Sequence, residues 1–258
     1  MRYPENVLIS MKRLTRKIAL PLVSVALLMT GCADRSLPDL AAIDDVNEMK
    51  QTFYAFLLPV VEAQNAEILE QRRELAGYRQ ALMDGDSLGW WQRSQLAQLA
   101  DEYELDWEDQ PALEIVDELW MRIDIIPADL ALAQAAKESG WGRSRFAVEI
   151  NNLFGQWCYV KGCGVVPAKR PPGAKHEVEA YGSVSESIRR YMNNLNTHDR
   201  YAPLRRLRAS LRRNEQTISG RVLAPGLLGY SERGQVYIDE ILAMIRRNQS
   251  LIAHAERV

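Results

Sequence analysis

Glu138 lies in the last turn of an alanine-rich, largely apolar segment that we predict to be a helix from Ala128 to Ser139. The partial negative charge at a helix C-terminus disfavours an ionised carboxylate. Aromatic neighbours such as Trp141, Phe146 and Phe154 can also desolvate it, and both effects raise the pKa of a glutamate. A glutamic acid that keeps its proton near neutral pH suits glycoside hydrolysis, because the leaving oxygen must be protonated. The alternative is a surface ion pair with a nearby cation: Lys137, Arg143 or Arg145.

Two runs around Glu138 resemble the signature of peptidoglycan β-N-acetylglucosaminidases, a family with flagellar and autolysin-type members. They are Ala133–Arg143 (AQAAKESGWGR) and Asn151–Gly155 (NNLFG). The runs at 156–159, 163–167 and 194–198 are closer still to the Bax-type members of that family. The resemblance covers roughly Trp90 to Arg247. It implies a lysozyme-like fold with a glycan groove between two lobes, and Glu138 as the catalytic acid.

A second catalytic carboxylate in this family comes from a small, flexible β lobe, which must lie here within residues 157–181. The alternating pattern from Glu177 to Tyr181 predicts a strand with Glu177 and Glu179 on the same face. We favour Glu177, because it follows His176 directly and lies nearer the predicted hairpin turn. The alternative is that both are exposed strand carboxylates without a catalytic role.

Two tyrosines near the C-terminus resemble a further family motif, although their spacing is one residue longer here. The resemblance puts Tyr230 near the catalytic centre, where its hydroxyl would orient an N-acetyl group or a water molecule, whereas Tyr237 packs and positions its helix. The alternative for both is a core aromatic ring with a satisfied hydroxyl. We expect the substrate to contact five side chains, Trp141, Asn152, Phe154, Trp157 and Tyr237.

The first 32 residues have the features of a bacterial lipoprotein signal. A basic cluster, Lys12 to Lys17, precedes an apolar run, Ile18–Met29, that is too short for a membrane span. The sequence LMTGC, ending at Cys32, resembles a lipobox and implies cleavage before Cys32 and acylation of its thiol. Because Ala33 rather than aspartate follows, the sorting rule of such lipoproteins implies the outer membrane. A cleaved secretory signal with an incidental cysteine is the alternative.

The remaining cysteines, Cys158 and Cys163, are close enough in sequence to form a disulfide in an oxidising periplasm. Two free, buried cysteines are the alternative. A zinc site would need two more ligands, and His176 is the only histidine nearby. We therefore expect no metal ion and no organic cofactor.

Helical periodicity dominates the rest of the chain and predicts a mostly α (α+β) fold with one small β-hairpin lobe. Apolar residues recur at helical spacing from Val46 to about Leu82. Residues 33–50 are polar and acidic, which is typical of a tether. We interpret five arginines between positions 205 and 213 as a solvated helix face. The predicted organisation is a signal peptide at 1–31, a tether and N-terminal helix at 32–85, and a glucosaminidase domain at 86–258.

Composition restricts the function further. Lys and Arg total 32 against 34 Asp and Glu, so a net charge of −2 gives no support for nucleic-acid binding. The sequence predicts a monomeric, lipid-anchored enzyme of the periplasm that cleaves the β-1,4 bond after N-acetylglucosamine in peptidoglycan glycan strands. A lytic transglycosylase and a non-catalytic wall-binding lipoprotein are the alternatives.

Overall fold

The computed structural model describes residues 36–107, 110–168 and 170–255, and these ranges are mostly helical. Two short 3-10 helices, Asp199–Tyr201 and Ala224–Leu227, connect some of the α-helices. The predicted mostly α class with a small β lobe is confirmed. The described residues contain ten α-helices: α1 (Val46–Met83), α2 (Trp90–Glu102), α3 (Ala112–Arg122), α4 (Ala128–Glu138), α5 (Arg145–Ile150), α6 (Val184–Thr197), α7 (Ala202–Arg213), α8 (Gly220–Leu223), α9 (Gln235–Arg247) and α10 (Gln249–Ala255).

Helix α4 is the buried helix that presents Glu138 at its C-terminal end. Every residue from Leu130 to Ala136 is buried, and four of these seven are alanines. Alanine is the strongest helix former and its small side chain permits close approach of neighbouring helices. Helices α1, α8 and α9 pack against α4, so the position of Glu138 is determined by the core.

Helix α1 is an integral part of that core. Its N-cap is Asp45, whose carboxylate accepts hydrogen bonds from the amides of Asn47 and Glu48. Such an N-cap satisfies otherwise unpaired donors. The helix packs against α3, α4, α6 and α10. The tether prediction for residues 33–50 was wrong in part, because Leu40 and Met49 are buried. The boundary predicted between residues 85 and 86 likewise does not coincide with a break in the core.

The β lobe is a three-stranded antiparallel sheet in the described residues, where the sequence predicted a single hairpin. Its strands are β1 (Trp157–Cys158), β2 (Gly164–Val165) and β3 (Glu177–Glu179), in the order β1-β3-β2. A disulfide joins Cys158 to Cys163 and closes the loop between β1 and β2. β3 is the central strand, because it pairs with both β1 and β2.

The arginines of α7 were predicted to form a solvated helix face, but two of them lie in the interior. Arg205 and Arg208 are buried, and the guanidinium of Arg208 donates to the carbonyl oxygens of Met121, Arg122, Asp124 and Ile125. Part of the predicted solvated face is therefore a contact that closes the C-terminal end of α3. None of the helices in the described ranges combines the length and apolarity needed to cross a bilayer.

Candidate active site

The turn after α4 holds Glu138 at the very end of the helix. Three consecutive residues, Gly140, Trp141 and Gly142, have positive φ angles of 59°, 64° and 73°. The Ser139 hydroxyl donates to the carbonyl of Ala135 at 2.6 Å and accepts from the amide of Gly142 at 2.7 Å. A Cβ on Gly142 would lie 2.8 Å from a Leu40 methyl carbon. The Glu-Ser-Gly-Trp-Gly sequence therefore ends the helix sharply and brings the next segment close to the core.

The Glu138 carboxylate is hydrogen-bonded by a phenol. Tyr237, on α9, donates its hydroxyl to Oε1 of Glu138 at 2.9 Å. Tyr237 is 3% exposed and in turn accepts a hydrogen bond from Nε2 of Gln134 at 2.9 Å. Glu138 itself is exposed. The site thus presents one carboxylate to solvent and fixes it from the core side.

The three cations considered as ion-pair partners of Glu138 all bind elsewhere. Lys137 pairs with Glu240 at 2.6 Å, and Arg145 lies 3.7 Å from Glu149. The third, Arg143, donates to the carbonyl oxygen of Gly140 at 3.2 Å. Among the described residues, none of the ion pairs includes Glu138. The alternative of an ordinary surface ion pair is therefore not what the structure contains.

Electrostatics make Glu138 a weaker acid than an ordinary glutamate. Desolvation is the largest influence and raises the pKa of its carboxyl group, although one side of the group is open to solvent. The hydrogen bond from Tyr237 and the charge of Lys137 act in the opposite direction, and the charge of Glu240 raises the pKa again. The net pKa is above the ordinary value. A carboxylic acid in such surroundings retains its proton to higher pH, as a general acid requires.

The two C-terminal tyrosines stack on each other, and one of them contacts Glu138. Tyr237, predicted to pack and to contact substrate, is the hydrogen-bond donor to Glu138. Tyr230, predicted near the catalytic centre, stacks on Tyr237 with ring centroids 5.2 Å apart and an interplanar angle of 15°. Tyr230 also contacts Tyr201 at a centroid distance of 5.9 Å. Tyr230 thus lies in an aromatic stack behind Tyr237, which is the tyrosine that contacts the carboxylate.

The Asn-Asn-Leu-Phe-Gly sequence connects α5 to the β lobe. Asn151 ends α5 in the left-handed conformation, with φ of 55°. Asn152 is 2% exposed, and its amide donates to the carbonyl oxygens of Gln156 and Glu179. Phe154 is buried and stacks on Tyr191 at 3.8 Å. Neither Asn152 nor Phe154, both predicted substrate contacts, has a side-chain surface open to a ligand in this structure; both support the lobe and the core.

The two strand acids are both engaged within the β lobe. Glu177 accepts hydrogen bonds from the amides of Gly162, at 3.1 Å, and Gly164, at 3.0 Å. These backbone hydrogen bonds lower the pKa of Glu177. Glu179 accepts from the Tyr181 hydroxyl at 3.0 Å and lies 3.6 Å from Arg190. Glu177, the predicted second catalytic residue, therefore holds the disulfide loop in the observed arrangement.

The two predicted tryptophan contacts have different surroundings. Trp141 packs edge-on against Phe53 and Tyr54 of α1, at centroid distances of 5.7 and 5.3 Å. Trp157, on β1, is 54% exposed and stacks one face on His176 at 4.0 Å. Trp157 thus keeps an exposed aromatic surface of the kind that stacks on a sugar ring, whereas Trp141 joins α1 to the turn after Glu138.

Gln134 is the site residue that the sequence analysis missed. It is completely buried, and its amide bridges two tyrosine hydroxyls, accepting from Tyr191 at 2.6 Å and donating to Tyr237. A signal was present in the sequence. Gln134 is a polar residue within a run of alanines and leucines, four positions before Glu138 and hence on the same helix face.

Two further predictions concern the lipidation site and metal binding. The predicted lipidation site, Cys32, lies outside the described residues. Within the described ranges, no cluster of three or more histidine, cysteine, aspartate or glutamate side chains is arranged to hold a metal ion.

Comparisons with known proteins agree on one family. Residues 113–250 match the glucosaminidase family model, described as mannosyl-glycoprotein endo-beta-N-acetylglucosaminidase. The chain is also 34% identical over 221 residues to Protein bax of Escherichia coli (strain K12), a match covering 84% of this chain and 76% of that protein. No solved structure matches the chain significantly.

Proposed function

The chain belongs to the glucosaminidase family, and on that premise we propose that it hydrolyses the β-1,4 bond after N-acetylglucosamine in peptidoglycan, with Glu138 as general acid. The family description names an endo-acting glycosidase for N-acetylglucosamine linkages. Each disaccharide repeat of a peptidoglycan strand also contains one β-1,4 bond after N-acetylglucosamine. The family description therefore supports the type of bond that is cleaved. The resemblance of the sequence to wall-degrading members supports peptidoglycan as the substrate.

The observation that carries the proposal is the environment of Glu138. A carboxyl group whose pKa is raised by desolvation and whose neighbouring cations are engaged elsewhere retains its proton to higher pH than an ordinary glutamate. Its solvent exposure leaves it accessible to a polymeric substrate. A raised pKa, access to solvent and a hydrogen bond from Tyr237 are three properties that favour a glycosidase acid.

The proposed reaction begins when Glu138 gives its proton to the glycosidic oxygen. The bond between that oxygen and the anomeric carbon breaks, and its electron pair leaves with the oxygen. Positive charge then develops at the anomeric carbon. The acetamido oxygen of the same sugar attacks this carbon and closes a cyclic intermediate. Water next adds to the anomeric carbon and reopens the ring, while the Glu138 carboxylate accepts the proton of that water.

Participation of the substrate's own acetamido group is favoured by the engagement of both strand acids. Glu177 binds two backbone amides, and Glu179 binds Tyr181 and Arg190. A carboxylate that acted directly on the anomeric carbon would have to exchange these partners for the substrate.

The engagement of both strand acids, which leaves Glu138 as the available carboxyl group, also favours a second candidate function, that of a lytic transglycosylase. Such an enzyme also uses a single protonated carboxyl group, but it cleaves after N-acetylmuramic acid, and a hydroxyl of the sugar itself attacks the anomeric carbon. The product is an anhydro sugar, and no water is consumed.

Mass spectrometry of digested, purified glycan strands separates these functions. The proposal predicts new reducing ends at N-acetylglucosamine. New anhydro-muramic ends would instead identify the transglycosylase, and intact strands would indicate a non-catalytic wall-binding protein. A high-mannose glycoprotein, digested in parallel, tests whether the substrate named in the family description is cleaved.

We also propose that the protein is anchored to the outer membrane from the periplasmic side through acylated Cys32. Support comes from the LMTGC sequence, which ends at that residue. Acyl chains contribute about 0.8 kcal/mol per buried methylene group, so several chains together bind a membrane stably. Labelled fatty acid should be incorporated by the natural protein and not by Cys32→Ser; incorporation by both would contradict the proposal.

A further inference from the structure

A chain of hydrogen bonds leads from the core to Glu138. Tyr191, on α6, donates to Oε1 of Gln134 at 2.6 Å. Nε2 of Gln134 donates to the hydroxyl oxygen of Tyr237 at 2.9 Å. Tyr237 donates to Oε1 of Glu138 at 2.9 Å. All three donors point in one direction, toward the carboxylate.

The amide of Gln134 gives this chain its direction. An amide oxygen only accepts and an amide nitrogen only donates, whereas a hydroxyl does both. If the amide were reversed, Tyr237 would have to donate to Gln134 and could no longer donate to Glu138. Tyr191, which is 1% exposed, would also lose the acceptor for its own hydroxyl proton. The observed orientation satisfies every donor in the chain, and leaving a buried donor unpaired is costly.

We propose that Gln134 is a positioning residue that keeps Tyr237 a permanent donor to Oε1 of Glu138, so that the acid proton resides on Oε2. This inference rests on the proposed function of Glu138 as general acid. It assigns different tasks to the two carboxyl oxygens. Oε1 receives the hydrogen bond from the protein, and Oε2 delivers the proton to the glycosidic oxygen.

The arrangement benefits the proton transfer because it stabilises the carboxylate that the transfer leaves behind. A hydrogen bond to a charged acceptor is about twice as strong as one between neutral groups, and a donor already in place needs no reorganisation during the reaction. Burial raises the pKa of both Tyr191 and Tyr237, so both remain neutral donors. The charged side chains that act on the Glu138 carboxyl group are Lys137, on α4, and Glu240, on α9. Glu240 pairs with both Lys137 and Arg233.

A direct test measures the pKa of Glu138 without any substrate. The protein is labelled with ¹³C at its glutamate carboxyl groups, and the Glu138 signal is assigned by its loss in Glu138→Gln. The test variant is Gln134→Met combined with Tyr191→Phe, which removes both the amide and the hydroxyl that would otherwise lack an acceptor. The matched control is Gln64→Met, because Gln64 is another buried glutamine and its amide donates within α1 to Glu67.

We expect the pKa of Glu138 to rise in the double variant, because a released Tyr237 can also accept a proton from Glu138. Tyr237→Phe should raise the pKa of Glu138 more than the double variant does, by about one to two pH units relative to the natural protein, as expected for loss of a hydrogen bond to a charged group. The alkaline limb of the pH profile of kcat/KM should shift to higher pH as the pKa of Glu138 rises. In the double variant kcat should fall while KM changes little. Gln64→Met should leave all of these values unchanged.

A Glu138 pKa in the double variant equal to that of the natural protein would overturn the inference. So would a fall in activity without movement of the alkaline limb, since a merely structural defect produces that pattern. The carboxyl titration needs no turnover. If the natural protein cleaved no glycan while the pKa shifts occurred, the proposed function would fail and the assignment of Gln134 would stand.

Discussion

Two carboxylates lie near the opposite ends of helix α4, and their surroundings are opposite. Asp124, just before the helix, is 2% exposed and surrounded by arginines. Arg212 donates to it at 2.7 and 3.1 Å, while Arg72 and Arg208 lie 3.8 and 3.9 Å away. Glu138, at the other end, is exposed and receives a single hydrogen bond from a phenol.

The difference shows that the partners of a carboxylate, more than its burial, determine its protonation. Burial tends to raise the pKa of Asp124, but the hydrogen bond from Arg212 and the charges of Arg208 and Arg72 outweigh it, and the pKa is lowered. At Glu138 desolvation prevails, because a phenol and one already paired lysine oppose it only weakly. The first group therefore stays ionised to lower pH than an ordinary aspartate, and the second retains its proton to higher pH than an ordinary glutamate.

The largest stability effect expected from this comparison is that of Asp124→Asn. Removing the charge leaves Arg208, whose side chain is 1% exposed, without its counter-ion. Breaking a buried pair in this way costs about 3–5 kcal/mol. Urea unfolding at neutral pH measures the loss. The matched control is Asp117→Asn, which removes an exposed pair with Arg79 and should cost about 1 kcal/mol or less.

The pH dependence of Asp124→Asn sharpens the same point. Because the folded pKa of Asp124 is lowered, its stabilising effect is present above the ordinary aspartate pKa of about 3.9 and is lost as the pH falls. The stability gap between the variant and the natural protein should therefore narrow in acid. Equal stability of Asp124→Asn and Asp117→Asn at neutral pH would contradict the structural role of Asp124.

An intermediate effect is expected for Glu177→Gln. The amide keeps only one acceptor oxygen, and its NH2 group takes the place of the other oxygen that accepts from the backbone amides of Gly162 and Gly164, so the disulfide loop should loosen. Faster hydrogen exchange at these two amides measures the loosening. If the substrate acetamido group stabilises the developing charge, turnover should stay within about tenfold of the natural enzyme, which corresponds to about 1.4 kcal/mol.

Glu179→Gln is the control for that experiment, because Glu179 lies on the same strand but bonds to Tyr181. It should leave the exchange of Gly162 and Gly164 unchanged. A loss of turnover in Glu177→Gln as complete as that of a general-acid variant would make Glu177 the second catalytic carboxylate. The same loss in Glu179→Gln alone would assign that role to Glu179.

The smallest effect expected is a gain in stability for Glu138→Gln. Since the folded pKa of Glu138 is raised, ionising it costs stability as the pH rises above the ordinary glutamate pKa of about 4.3. The neutral amide avoids that cost. Its Tm should exceed that of the natural protein at neutral pH, and the difference should disappear below about pH 4. Glu149→Gln, at an exposed ion pair, is the control and should show no such pH-dependent gain in Tm. A lower Tm for Glu138→Gln than for the natural protein at neutral pH would contradict the prediction.

The sequence predicted best what depends on neighbours along the chain. The periodic segments of α1 and α4 were recognised with nearly correct limits, because a helix with a buried face repeats its apolar residues. The short helices α8 and α10 were missed, since a few residues carry too little periodicity. The disulfide between Cys158 and Cys163, considered as one alternative, is present.

What the sequence did not predict depends on contacts between distant segments. The arginines of α7 resembled a solvated face, yet Arg208 binds carbonyl oxygens more than 80 positions earlier in the chain. The backbone amides that hold Glu177 belong to a loop whose path the strand pattern does not reveal. Tyr237 lies 99 positions after Glu138, so the sequence alone did not show that Tyr237 donates the hydrogen bond to the carboxylate.

The most direct test of the proposed role of Glu138 is the cleavage of purified glycan strands by Glu138→Gln. Gln is nearly isosteric but has no proton to give, so turnover should fall by a factor on the order of 10²–10⁴, as expected from loss of general acid catalysis. Circular dichroism and thermal unfolding must show a native fold for the variant. A well-folded Glu138→Gln protein that releases products at nearly the natural rate would contradict the account.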